Sequence, residues 1–154
     1  MQKGSSADDS RLPFAAFFLR LSRAIPASRK YEGMRVMKVL IVEDHPSMRQ
    51  LIYSVVADLA EAVVECADGA EAVAIYAAQR FSSDDWVLMD LEMSGVDGLE
   101  ATRRLRAAFP DSQIIIVTQY GDPHLRAAAT QAGACDYVLK ENLLDVRRLL
   151  QTPS

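Results

Sequence analysis

From Met37 onward, short apolar runs alternate with longer stretches whose apolar residues recur at helical spacing. Lys38-Val-Leu-Ile-Val42 is rich in β-branched side chains and predicts a first strand. Pro46 suits the first turn of a helix, because its missing N–H would be unpaired there anyway. That helix is predicted to reach about Leu59, with Met48, Leu51, Ile52, Val55 and Val56 on one face. Ala62–Cys66 predicts a second strand, placed at a sheet edge because Glu65 interrupts it. Asp68, with Glu71 three residues on, has the form of a capping box before a helix carrying Ala72, Ile75 and Tyr76. Trp86 to Met89 predicts the third strand. Asp97 and Glu100 repeat the capping signature before Leu99, Thr102 and Leu105, and Phe109-Pro110-Asp111 ends that helix. Ile114–Val117 predicts a fourth strand buried on both faces. Asp122-Pro123 opens a fourth helix with Gly133 at its C-cap, Tyr137 to Leu139 lies in a fifth strand, and a last helix covers Asn142 to Leu150.

Five such βα units have the spacing of an α/β fold, a parallel sheet with helices on both faces. In such sheets, chemistry gathers outside the carboxyl ends of the strands. Glu43-Asp44, Asp90, Thr118 and Lys140 follow the first, third, fourth and fifth strands, so all converge on one edge. Taken singly, each is an ordinary strand end, helix cap or surface residue; Asp44, for example, is placed to cap the helix at Pro46. Their common placement is what argues for a site.

The chemistry of that set is specific. Glu43, Asp44 and Asp90 crowd up to three negative charges together, and without a cation at least one pKa would rise. A hard divalent ion with oxygen ligands resolves the repulsion, and Mg²⁺ is the expected one, held by Asp44, Asp90 and a backbone carbonyl of the following loop. Lys140 offers an ammonium and Thr118 a hydroxyl, both suited to the oxygens of a phosphoryl group in flight. Asp90 is then the natural nucleophile.

Composition narrows the classes. Half of the 154 residues are hydrophobic and a quarter charged, which excludes disorder of the whole chain. Residues 1–33 carry six basic and three acidic residues, and the remainder 11 basic and 18 acidic. An acidic body argues against nucleic-acid binding by the domain itself. The two cysteines, Cys66 and Cys135, lack metal-site spacing and are expected to be buried free thiols in a reducing, cytoplasmic setting. No apolar run approaches the length of a membrane-spanning helix. Residues 1–33 are read as an N-terminal extension, ahead of a domain at 34–154. Its first ten residues are small and polar and predict disorder. Phe14, Phe17, Phe18, Leu21 and Ile25 then recur at helical spacing with Arg20 and Arg23 between them, a basic amphipathic helix over 11–25 that would dock on a membrane surface or a partner. The competing reading is that translation starts at Met34 or Met37 and the extension is not native. A signal peptide is disfavoured, since Arg20 and Arg23 break the apolar region.

The chain resembles the receiver domain of two-component response regulators. The resemblance rests on Val39-Leu-Ile-Val-Glu43-Asp44-His45-Pro46, Val87-Leu-Met-Asp90-Leu-Glu-Met93, Gly95-Val-Asp97-Gly98, Ile116-Val-Thr118 and Ala132-Gly-Ala-Cys-Asp-Tyr137-Val-Leu-Lys140, and it covers Met37 to about Leu150. The Glu-Asp-His-Pro start and Lys140-Glu141-Asn142 are similar to receivers usually joined to helix-turn-helix DNA-binding domains. It implies a flavodoxin-like, doubly wound sheet of strand order 2-1-3-4-5, which puts Cys66 and Cys135 on opposite edges, too far apart for a disulfide. It implies that Asp90 takes a phosphoryl group from a histidine kinase or phosphotransfer protein. Mg²⁺ would be held by Asp90, by Asp44 directly, by Glu43 mostly through water, and by the backbone carbonyl of Glu92. Thr118 and Lys140 would contact the phosphoryl group, and Tyr137 would turn inward when Thr118 moves. The change would be read on the fourth helix, fifth strand and fifth helix, where Leu125, Arg126, Val138 and Arg147 lie and where homodimers form in relatives.

Two residues depart from the family pattern: Ser94 stands where a proline usually follows the methionine, and Gln119 replaces a small residue after Thr118. Gln119, Glu92 and Tyr120 are candidate rate-tuning residues. His45 and His124 fall in a βα loop and a first helical turn and are given no chemical role. Two other functions compete: a Mg²⁺-dependent phosphohydrolase with an aspartyl nucleophile, disfavoured because Glu92 stands where the acid/base Asp belongs and no cap insertion is present, and an unphosphorylated pseudo-receiver, disfavoured because the set is intact. No DNA-binding domain is expected within the chain. It reads either as a stand-alone regulator working through protein contacts or as a receiver cut from a longer transcription factor.

Overall fold

The computed structural model describes residues 36–152 and, in backbone only, 22–24. The elements are β1 (Ser22–Ala24), β2 (Lys38–Val42), α1 (Pro46–Val56), β3 (Ala62–Cys66), α2 (Gly69–Ala78), β4 (Trp86–Met89), α3 (Gly98–Ala108), β5 (Gln113–Thr118), α4 (Pro123–Ala132), β6 (Asp136–Leu139), a 3₁₀ turn at Lys140–Asn142, and α5 (Leu143–Gln151). The sheet order is β1-β3-β2-β4-β5-β6. The strands from β2 to β6 are mutually parallel and keep the expected order, 2-1-3-4-5 when counted from β2.

Strand alternation sorts the core into two layers. Leu40, Val42, Val64, Val87, Met89, Ile114 and Ile116 face one way, against Ala72, Ile75 and Tyr76 of α2, Ala101 and Leu105 of α3, and Ala129 of α4. Val39, Ile41, Val63, Leu88, Ile115 and Val117 face the other, against Ile52 and Val56 of α1 and Leu143, Val146 and Leu150 of α5. Each large side chain so buried contributes about 1.5–3 kcal/mol. This double burial explains why β4 and β5 read as unbroken apolar runs.

Helix starts follow the predicted caps. Asp68 accepts from the Ala70 N–H, Asp97 from Glu100 and Asp122 from His124, while Gly133 closes α4 at φ 108°. The reciprocal half of the capping box is missing at α3, because the Glu100 carboxylate turns to Arg103 and Arg104 instead. Asp44 caps nothing: His45 holds the N-cap position of α1 and makes no side-chain cap bond.

Several expectations need correction. Leu51 is exposed, and α1 stops at Val56 rather than Leu59. Cys135 is exposed and sits just ahead of β6, not buried within a strand. It and Cys66 are free, and four strand spacings separate β3 from β6, about 19 Å. Ser22–Ala24 forms a strand instead of continuing a helix. It pairs antiparallel with Ala62–Val64, so β3 has a neighbour on its outer side and is not the sheet edge. Pairing gives the outer backbone groups of β3 the partners that an open edge lacks. The rest of the predicted helix over 11–25 lies outside the described residues.

At the amino ends of the strands, Asp85 is buried and accepts from the backbone N–H groups of Lys38 and Ser82, both at 2.7 Å, and from the Ser82 hydroxyl. Lys38 Nζ donates to the carbonyls of Gln79 and Arg80 beyond α2. This cluster pins the α2–β4 loop to β2. Replacing Asp85 by Ala strands two part-buried N–H donors, and urea denaturation should report a loss of about 2–4 kcal/mol.

Candidate functional site at the carboxyl edge of the sheet

Register brings the site together. Val42 lies opposite Met89, so Glu43 and Asp90 leave their strands side by side, and the Asp90 N–H donates to the Val42 carbonyl. Thr118 lies opposite Leu139, one residue before Lys140. Glu43 and Asp90 are only 1% and 4% exposed. Lys140 Nζ lies 2.7 Å from Glu43 Oε2 and 3.1 Å from Asp90 Oδ1. Glu43 Oε1 accepts from the His45 N–H, while its buried Oε2 has the ammonium beside it but no hydrogen-bond geometry.

The electrostatics follow from burial. Desolvation, and then the Glu43 carboxylate, push the Asp90 pKa up to about 6 against the pull of Lys140. Desolvation acts to lower the Lys140 pKa, but its contacts with Glu43 and Asp90 outweigh it and the net shift is upward. Two buried carboxylates thus share one ammonium, and Asp44 stands beside them without it. Ligand oxygens of Glu43, Asp44 and Asp90 all lie within 4.8 Å of one another. Octahedral Mg²⁺ sets its oxygens about 3–4 Å apart, so this donor set fits the ion after a small contraction.

A cleft of about 340 Å³ opens over this cluster, lined by Glu43, Asp44, His45, Met48, Asp90, Glu92, Gln119 and Lys140. Of the rate-tuning candidates, Gln119 Nε2 donates to the Tyr120 hydroxyl at 2.9 Å and reaches Glu92 Oε2 at 3.5 Å, which ties the three side chains together at the mouth. The Glu92 carboxylate holds the Tyr120 pKa above its usual value.

Thr118 is fully buried and does not line the cleft; its Oγ1 accepts from the Tyr120 N–H at 3.3 Å. Tyr137 is buried, and its hydroxyl donates to the Tyr120 carbonyl at 2.6 Å. Thr118 and Tyr137 therefore grip the same residue from two sides. His45 is exposed at the cleft wall and His124 is exposed in the first turn of α4. Among the surface residues expected on α4, β6 and α5, Arg126 is exposed and Leu125 half-buried. Val138 is buried, because it faces α5 and the core behind it. Arg147 turns toward α1, donating to Asp58 and to the Val55 carbonyl.

Some contacts had no sequence signal of their own. Arg49 donates to the Glu43 carbonyl at 2.8 Å and so fixes the backbone of a site residue from α1. The Ser94 N–H and hydroxyl donate to Asp44 Oδ2. Arg126 lies over the Tyr137 ring at 4.6 Å and donates to the Tyr137 carbonyl. Gly98 comes so close to Asp90 that an added Cβ would stand 1.9 Å from the Asp90 carbonyl oxygen. A glycine inside a cap signature was the available clue to that approach, since it costs helix stability and needs a steric reason.

The sequence pattern of the response regulator receiver domain matches residues 39–152. The chain belongs to the response regulator receiver family. It is 39% identical over 106 residues to the response regulator GacA of Pseudomonas aeruginosa, covering 68% of this chain and 49% of that protein. It is 37% identical over 107 residues to the uncharacterized transcriptional regulatory protein YhcZ of Bacillus subtilis, again 68% of this chain and 49% of that one. The chain therefore spans about half the length of these curated relatives. A LuxR-family two-component response regulator from Aurantimonas superposes with a TM-score of 0.67 at 28% identity, covering 75% of this receiver and 86% of that chain. The flavodoxin-like fold and strand order are those of its relatives. Among the described residues, no helix is long and apolar enough to cross a membrane.

The raised Asp90 pKa carries a stability consequence. An acid whose folded pKa lies above its unfolded value favours folding at low pH, and that contribution is lost as pH rises from about 4 through 6. Without divalent cation, Asp90→Asn should therefore stabilise this receiver by about 1–3 kcal/mol at pH 7.5 and not at all below pH 4. Thermal melts across that range in a chelating buffer check it.

Proposed function

We propose that this receiver is a cytoplasmic phosphorylation switch. Asp90 attacks the phosphorus of a phosphohistidine on a histidine kinase or phosphotransfer protein. The P–N bond breaks, its electron pair leaves with the histidine nitrogen, and an acyl phosphate forms on the Asp90 carboxylate. Water later attacks the same phosphorus, returning the carboxylate and inorganic phosphate. The observation that carries the reading is the buried Asp90 carboxylate, 3.1 Å from Lys140 at the floor of an open cleft. A buried nucleophile facing solvent through one opening is reachable in line from one direction, and Lys140 stands ready for the charge it gains.

Mg²⁺ is the cofactor the donor set favours, with Asp44, Asp90 and the Glu92 carbonyl as ligands and Glu43 acting mostly through water. Bound there, it would neutralise the phosphoryl oxygens. Thr118 and Lys140 are the phosphoryl contacts in this reading, and Tyr137 follows Thr118 through their shared hold on Tyr120. The output face comprises α4, β6 and α5, with homodimerisation there as the expected readout. Membrane contact by residues 11–25 is not carried further, because Ser22–Ala24 pairs with β3 in the sheet.

Incubation with Mg²⁺ and acetyl phosphate, or with a labelled kinase, should give a hydroxylamine-sensitive label that is absent in Asp90→Ala. Label that persists in that variant, or that resists hydroxylamine, would refute the acyl phosphate. Gln119→Ala opens the cleft mouth and removes the bridge to Tyr120 and Glu92. It should change the phosphotransfer or dephosphorylation rate about two- to tenfold, read by the appearance and decay of the label.

A further inference from the structure

Of the three clustered carboxylates, Asp44 is the one without an ion-pair partner among the described residues. Glu43 and Asp90 are buried and held by Lys140. Asp44 is half-exposed, and repulsion from the other two favours its turning outward into solvent. What opposes this is Ser94. Its backbone N–H donates to Asp44 Oδ2 at 3.1 Å and its hydroxyl to the same oxygen at 3.4 Å. Both bonds fall on Oδ2 and, among the described residues, none falls on Oδ1, which is left available in a residue that lines the cleft. The contact also ties the β2–α1 loop to the loop leaving Asp90, which carries the Glu92 carbonyl.

We infer that Ser94 is a positioning residue for the cation site: it holds Asp44 by one carboxylate oxygen and so presents the other to Mg²⁺. The inference rests on the Mg²⁺ reading above. Groups that hydrogen-bond the far side of a ligating carboxylate orient it and strengthen metal binding, and a donor to a charged acceptor is worth more than a neutral one. The main-chain N–H is the shorter bond, so it carries most of the effect. Any side chain but proline keeps it, and proline removes both donors.

Calorimetric titration of Mg²⁺ into the unphosphorylated full chain tests this with the wild type, Ser94→Ala, Ser94→Pro, Asp44→Asn and the double variant Asp44→Asn/Ser94→Pro. Ser94→Pro should weaken Mg²⁺ binding about three- to tenfold, and Ser94→Ala about twofold at most. In the Asp44→Asn background, Ser94→Pro should cost much less, because the charged acceptor is gone and only a neutral amide oxygen is left to Ser94. The Ser94 amide proton of the wild type should also shift upfield in Asp44→Asn, a measurement that does not depend on the proline variant folding. Unchanged or tighter binding by Ser94→Pro would overturn the inference, as would an equal loss in the Asp44→Asn background, which would mean loop strain. If the wild type shows no saturable Mg²⁺ binding, the cation reading itself fails and Ser94 falls with it; if the wild type binds and Ser94→Pro binds alike, only Ser94 is wrong.

Discussion

Lys140 between Glu43 and Asp90 is the contact on which the arrangement turns. Two carboxylates that are almost completely buried stand side by side because the parallel register gives them no other place. In a low-dielectric setting such a pair is tolerated only with a cation in contact, and the ammonium supplies one at 2.7 and 3.1 Å. It does not finish the task. Burial and the Glu43 carboxylate still hold the Asp90 pKa up at about 6, and Asp44 adds a third carboxylate that no ion pair covers among the described residues. The fold thus builds a site with more negative than positive charge, which makes a divalent ion chemically reasonable there; an anionic phosphoryl group would need that ion and Lys140 beside it.

The same register explains how much was legible in the sequence. In β2, β4, β5 and β6 the apolar run reaches the carboxyl end because both faces are covered, so a polar residue at the end of the run marks the carboxyl edge. That is why Glu43, Asp90, Thr118 and Lys140 were visible as one set, and why caps at Asp68, Asp97, Asp122 and Gly133 were found in place. What escaped was information that hydrophobic period does not hold. Ser22–Ala24 sits in a stretch of helical period, yet its backbone satisfies the outer edge of β3, a tertiary demand that local pattern cannot express. Val138 lies in a segment expected to form the output surface, but its own side chain points to the face that α5 covers. Ser94 was noticed as a missing proline, but a missing constraint does not say what the freed N–H will find. Gln119 was expected near the site, whereas its bond to Tyr120 depends on side-chain directions set only in the folded loop.

The geometry also bears on how a local event at Asp90 reaches the surface. Thr118 holds the Tyr120 N–H, Tyr137 holds the Tyr120 carbonyl, and Arg126 of α4 covers the Tyr137 ring while gripping its own carbonyl. These contacts are in series. If the Thr118 hydroxyl turns toward a phosphoryl oxygen, it gives up its bond from the Tyr120 N–H, and the segment that Tyr137 anchors is free to shift. Tyr137 cannot follow without disturbing Arg126, since ring and carbonyl are both engaged by that one guanidinium. Buried groups of this kind change in steps, because a half-broken hydrogen bond in a packed layer is unfavourable on both sides. The four residues thus form one connected line with Tyr120 at its centre, held through its N–H on one side and its carbonyl on the other, and the proposed switch would reach α4 along it through the Arg126 side chain.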